Sequence, residues 1–210
     1  MSSKQALITY SKMPSQHELN YPLVSVITPT YNRRSFIPIL IECFMNQTYP
    51  KNRMEWIVLD DGSDPVEDIF LKHKNDLPML KYIRVEEKQL IGAKRNRLNQ
   101  EAIGDIIVAM DDDEYYPSDR VSHVVTKFKQ YPKVELAGSS EIYMYYTDIK
   151  TIYKLGPYNP NHATNGTMAW RKSYALRNTY DETVTHAEEK SFLENYKNPM
   201  IQLDPKKVML

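Results

Sequence analysis

The chain has 210 residues, with 27 Lys+Arg balanced by 27 Asp+Glu and a single cysteine, Cys43. Zero net charge argues against a nucleic-acid binder that relies on bulk basic charge and against a polybasic membrane anchor. One cysteine excludes an internal disulfide and a multi-cysteine zinc site and fits a reducing cytosol, while a chain of this length buries about 70% of its unfolded surface, enough for one core.

Residues 1–22 show no hydrophobic period and no continuous apolar stretch of the signal-peptide kind, so they read as a loosely ordered leader. Leu23-Val24-Ser25-Val26-Ile27 is a β-branched run stopped by Thr28-Pro29-Thr30, which predicts a buried strand. Ser35 is placed to cap a helix with Phe36, Ile39, Leu40 and Phe44 on one face. Trp56–Leu59 predicts a second strand, ending in the loop-forming Asp60-Asp61-Gly62-Ser63-Asp64. Helices then follow at 66–73 and 91–102, and strands at 80–85 and 105–110. This alternation means crossover connections and a mostly parallel sheet, an α/β fold. Val121, Val124, Val125 and Phe128 mark a further helix after Pro117.

Beyond Pro132 the pattern changes. Residues 141–146 and 151–155 predict a tyrosine-rich hairpin, 166–170 a short strand, and 187–196 a helix. No linker-like composition intervenes, so residues 23–210 read as one domain with halves at 23–130 and 131–210. No apolar run reaches the roughly 18–20 residues needed to cross a bilayer.

The sharpest chemical feature is Asp111-Asp112-Asp113-Glu114, directly after the apolar run Ile106–Met110. Ligands of open α/β sheets bind beyond the carboxyl ends of strands. If extended geometry persists, Asp111 and Asp113 share a side, and their repulsion is relieved by a cation. Oxygen-only ligation favours Mg²⁺ or Mn²⁺ shared with a phosphate-bearing substrate. Asp60-Asp61 lies at another strand's carboxyl end, suited to a ribose hydroxyl or a base N–H. Gly92-Ala93-Lys94-Arg95-Asn96-Arg97 opens a helix with three cations, a natural anion site. Glu188 and Glu189 open a later helix, as dipole complements or as a general base. His162, among loop residues, is assigned to substrate contact. Cys43 reads as core, and the triplets at 46–48 and 165–167, which match a glycosylation acceptor, carry no meaning without a secretory signal.

Taken together and in order, Val24–Asn32, Gln47-Thr48-Tyr49, Leu59–Ser63, Gly92–Asn96, Asp111–Asp113 and Pro117–Arg120 resemble the family 2 glycosyltransferases with the GT-A fold, a Rossmann-like sheet with a small antiparallel acceptor-side sheet. The chain is also similar to short forms encoded by large DNA viruses, which would place it in the host cytoplasm. The resemblance implies that Pro29, Thr30, Tyr31 and Asp61 surround a uracil base, with Arg95 near base and phosphates. It further implies that Asp112 lies near the ribose and that Asp113 binds the metal, with Asp111 beside it. Glu188-Glu189 resembles the family's Glu-Asp segment, whose second acid is the usual base. That points to Glu189, one methylene longer than Asp, with Glu188 as the alternative. The implied activity is metal-dependent, inverting transfer from a UDP-sugar to a hydroxyl of a glycan or glycoprotein. A nucleotidyltransferase or a non-catalytic sugar-nucleotide or glycan-binding module would share parts of this pattern. The former needs an early Gly-rich phosphate loop, which is missing between Ile27 and Arg34; the latter needs neither Glu188 nor Glu189.

Overall fold

A computed structural model describes residues 20–210. Strands β1 (Val24–Thr30), β2 (Met54–Asp60), β3 (Leu80–Arg84) and β4 (Ile106–Ala109) alternate with helices α1 (Ile37–Met45), α2 (Glu67–Lys72) and α3 (Ile91–Glu101). Helix α4 (Arg120–Gln130) follows, then β5 (Leu136–Gly138), the hairpin β6 (Ile142–Tyr146) and β7 (Thr151–Leu155), β8 (Ala169–Arg171), α5 (Lys172–Ala175), α6 (Glu189–Phe192) and β9 (Met200–Gln202). The seven-stranded sheet runs β3-β2-β1-β4-β8-β5-β9, and β6-β7 form a separate two-stranded sheet. Pairing among β1–β4 is parallel; β8 is antiparallel to both β4 and β5. This is the GT-A arrangement.

The strands are apolar on both faces because both faces are covered. Val24, Val26, Trp56, Val58, Val108 and Met110 point into the layer shared with α1, α2 and α4. Ile27, Ile57, Leu59, Ile107 and Ala109 point into the opposite layer with Leu98 of α3, Trp170 and Phe192. Trp56 stacks on Phe44 at 4.4 Å, and its indole N–H donates to Thr28 Oγ1, whose own hydroxyl donates to Met110 O at 2.7 Å. One buried polar chain thus ties β1, β2 and β4 together.

Four expectations are corrected. Helix α1 starts at Ile37 with no side-chain cap, because Pro38 already lacks the first-turn N–H. Its buried face is Ile37, Leu40, Ile41 and Phe44, and Phe36 and Ile39 face solvent. Residues 165–167 form a 3₁₀ turn, so β8 begins only at Ala169. The helix expected over 187–196 shrinks to α6, because Glu194, Asn195 and Tyr196 take left-handed φ of 48°, 56° and 60°. Strands β5 and β9, three residues each, were not foreseen. The leader falls outside the described residues except for 20–22, where Tyr21 O accepts from Arg53 and Pro22 O from Tyr49.

Candidate active site

The loops leaving β1, β2 and β4 meet at the carboxyl edge of the parallel strands, and α3 runs beneath them. A side chain on Gly92, at the start of α3, would put its Cβ 2.1 Å from Asp181 O. Only glycine lets the loop before α6 cross the helix that closely.

The two acids ending β2 divide the work. Asp60 is fully buried and builds the loop: Oδ1 accepts from Gly62 N at 2.8 Å, Oδ2 from Val66 N at 3.0 Å and also from the Tyr82 hydroxyl. Asp61 accepts from Lys94 Nζ at 2.8 Å on one oxygen and from Gln89 N at 2.7 Å on the other, and its side chain has no exposed surface. Lys94 also reaches Thr30 O at 3.3 Å and lies 5.9 Å over the Tyr31 ring, with Lys88 at 4.3 Å. Pro29 and Thr30 are buried in β1, and Tyr31 is half-buried beside them. Thr30, Tyr31 and Asp61 are therefore brought together, and Lys94, which sequence reasoning treated only as part of a basic helix, is what joins them. A base reaches the Asp61 carboxylate only if the segment carrying Gln89 gives way.

Arg95, the next residue on α3, serves the other cluster. Its guanidinium is buried and grips Asp111 through two bonds of 2.9 and 3.1 Å, while Nε donates to Glu188 Oε1 at 2.8 Å. Burial opposes the charge, but Asp111 and Glu188 more than offset it, and the arginine is held protonated. Asn165, with its amide oxygen turned toward Arg95, accepts from Nη1 at 2.7 Å and donates to the Tyr180 hydroxyl. The resemblance implies a place for Arg95 near base and phosphates; within the protein its partners are Asp111, Glu188 and Asn165. Asn165 was visible in the sequence only as part of a discounted glycosylation-like triplet.

The acidic loop is not extended past Ala109, so its aspartates diverge. Asp111 turns to Arg95, Asp112 is buried, and Asp113 is exposed. Arg33, unassigned from sequence, lies 3.1 Å from Asp113 Oδ2 and 4.0 Å from Asp112 Oδ1. Asp112 Oδ2 is buried and makes no hydrogen bond of good geometry, although the Thr30 hydroxyl is close enough to stabilise its charge in part. Burial, aided by Asp113, pushes the Asp112 carboxyl up to about 6. Burial, then Asp113 and Asp111, push Glu114 up to about 7. An orphaned carboxylate oxygen among mutually repelling acids fits a hard divalent cation. Among the described residues no three acid, imidazole or thiol side chains are grouped to hold an ion by themselves.

Glu188 and Glu189 separate cleanly. Glu188 is buried and committed to Arg95. Glu189, half-buried at the start of α6, makes no ion pair among the described residues, and burial, then Glu188, raises its pKa. His162 is outside both clusters; its ring lies 5.0 Å from those of Tyr158 and Tyr196.

A parallel sheet in the order 3-2-1-4, extended by an antiparallel strand and gathering acids from both halves at its carboxyl edge, defines the GT-A class. The chain belongs to glycosyl transferase family 2, whose profile matches residues 25–186. The glycosyltransferase TuaG of Bacillus subtilis (strain 168) is 31% identical over 101 residues, covering 48% of this chain and 39% of the relative. The crystal structure of S. aureus TarS 1-349 in complex with UDP aligns with a TM-score of 0.74 at 21% identity, over 89% of this chain and 59% of that one. The mannosyltransferase PcManGT from Pyrobaculum calidifontis, in complex with GDP-Man and Mn²⁺, aligns with a TM-score of 0.70 at 17% identity, over 99% and 60%. These relatives are thus substantially longer than this chain. Among the described residues no helix is long and apolar enough to cross a membrane.

Proposed function

We propose that this domain is an inverting glycosyltransferase that moves a sugar from a UDP-sugar to a hydroxyl of a glycan or glycoprotein, with residues 23–130 holding the donor and 131–210 the acceptor. The observation that carries this reading is the bridge through Arg95. It joins Asp111 of the first half to Glu188 of the second, and Glu189 is the next residue along the chain. Glu189 takes the proton from the acceptor hydroxyl as its oxygen attacks the anomeric carbon and the bond to UDP breaks on the opposite face. One displacement inverts the configuration. Asp113 would hold Mn²⁺ or Mg²⁺ together with phosphate oxygens of the donor, Asp111 being gripped by Arg95, and the ion when bound supplies charge neutralisation for the leaving diphosphate. Asp112 faces the ribose; Pro29, Thr30, Tyr31 and Asp61 face the base; and His162 contacts the acceptor.

The reading is tested by UDP release from a panel of UDP-sugars with and without Mn²⁺; no release from any of them would sink it. Calorimetry should show UDP binding tightened by Mn²⁺ or Mg²⁺ relative to EDTA, and Asp113→Ala should remove most of the gain. Equal UDP affinity in EDTA and Mn²⁺ would defeat the metal assignment.

Base choice gives a separate expectation. Uracil N3–H can donate to Asp61, whereas cytosine has no proton there. A hydrogen bond to a charged group contributes about 1.5–3 kcal/mol, so UDP should outbind CDP by roughly 10- to 100-fold. Asp61→Asn keeps the shape beside Lys94 but offers an amide that can serve either base, and should collapse the preference. An unchanged UDP/CDP ratio in the variant would remove Asp61 from base reading.

A further inference from the structure

We propose that the rings of Tyr158, His162 and Tyr196 form one stacking platform for the acceptor, and that the acceptor presents a pyranose ring to it. This deepens the assignment of Glu189 as the base and rests on it.

The three rings come from two chain segments and form a continuous row. Tyr158 and His162 lie 5.0 Å apart with planes at 50°, and His162 and Tyr196 lie 5.0 Å apart at 31°. Tyr158 is 54% exposed, and the other two are half-buried, so the row keeps ring surface open to solvent. Unlike Tyr174 and Tyr180, whose rings pack around Phe192, this row is not consumed by the core.

Its position is fixed relative to the base. Tyr196 follows Glu189 within one short segment, in which Leu193 N donates to Glu189 O and Asn195 N donates to Lys190 O. That segment closes through three consecutive non-glycine residues in the left-handed region. Such backbone persists only where the surroundings over-determine it; here buried Phe192 and Leu193 anchor the turn. The phenol of Tyr196 is near enough to Glu189 for that carboxylate to add to the effect of burial in raising its pKa. A ring stacked on Tyr196 therefore has its hydroxyls within the neighbourhood of the base.

The chemistry of the row selects the ligand. Burial lowers the His162 pKa, which keeps the imidazole neutral, and its Nδ1 is buried with no partner. A neutral imidazole between two phenol rings offers apolar ring faces that suit the C–H face of a pyranose. Among the described residues, the cation–ring contacts fall elsewhere, on Tyr31, Phe36, Tyr116, Phe128 and Tyr21. A polyol phosphate, being open-chain, has no ring face to lay on the row.

Saturation-transfer NMR on the full chain with UDP and Mn²⁺ tests this, with methyl β-glucopyranoside, methyl β-galactopyranoside and ribitol 5-phosphate as probes. The pyranosides should receive saturation and ribitol 5-phosphate should not. Tyr158→Ala, at an exposed position that cannot unfold the core, and Tyr196→Ala should each weaken pyranoside binding roughly two- to tenfold. Tyr196→Phe should retain it, and UDP affinity should stay the same in all three. Pyranosides without saturation while UDP binds would overturn the platform alone, as would equal signals in wild type and variants or a preference for ribitol 5-phosphate. Ring-dependent pyranoside binding without UDP binding would uphold the platform and remove the donor reading. Absence of both would remove both.

Discussion

Glu189→Gln should fold as the wild type does, bind UDP with metal undiminished, and lose about 10²- to 10⁴-fold in transfer rate, the range for a general base. Gln has the size of Glu but cannot take a proton. Stability should hardly change, because the side chain makes no ion pair among the described residues and its contact with the dipole of a four-residue helix contributes at most about 0.3–1 kcal/mol. The active form is the carboxylate, so the rate should rise with pH through a pKa above the ordinary glutamate range, the direction in which burial and Glu188 push it. Glu188→Gln should differ in kind. It removes half of a buried pair with Arg95 and should appear first as lost stability. Normal turnover by Glu189→Gln, beside an inactive but stable Glu188→Gln, would transfer the base assignment to Glu188.

Arg95→Leu should be the most destabilising single exchange in the site. It strands Asp111 and Glu188 together without their shared cation, and breaking a buried pair by removing one partner costs about 3–5 kcal/mol. For a chain of this size, that loss lowers the melting temperature by roughly 6–20 °C. Arg95→Lys retains charge but cannot grip both Asp111 oxygens and Glu188 at once, so it should fall between the two. Scanning calorimetry of the three proteins checks the order. A melting temperature of Arg95→Leu within a degree of wild type would mean that the bridge contributes nothing to the fold.

The parallel half was legible because its strands are apolar on both faces and its helices carry periodic stripes, as in Val121, Val124, Val125 and Phe128. Strands β5 and β9 were not, since three residues carry no period. The helix expected at 187–196 failed for a backbone reason: left-handed φ at Glu194, Asn195 and Tyr196 cannot be read from residues that are not glycine. Within the site, acids at strand ends announced themselves, and their partners did not. Arg95 and Glu188 are 93 positions apart, and Lys94 and Asp61 are 33 apart. Motif position marks which groups gather at an edge. It does not show which of them neutralise one another, and that is why Asp111, aligned on paper with Asp113, turns instead to an arginine.

The antiparallel strand β8 lies between β4 and β5, so residues 23–130 and 131–210 share one hydrogen-bonded sheet. For protein engineering this makes residues 131–210 a poor unit of exchange. Splicing in another family member's second half would replace β8, the strand that registers Ala169 opposite Val108, together with Asn165 and Glu188, which hold Arg95 in place. The hairpin β6–β7 is different, because its two strands pair only with each other. It is the cassette that can be swapped while the sheet beneath the acidic loop stays whole.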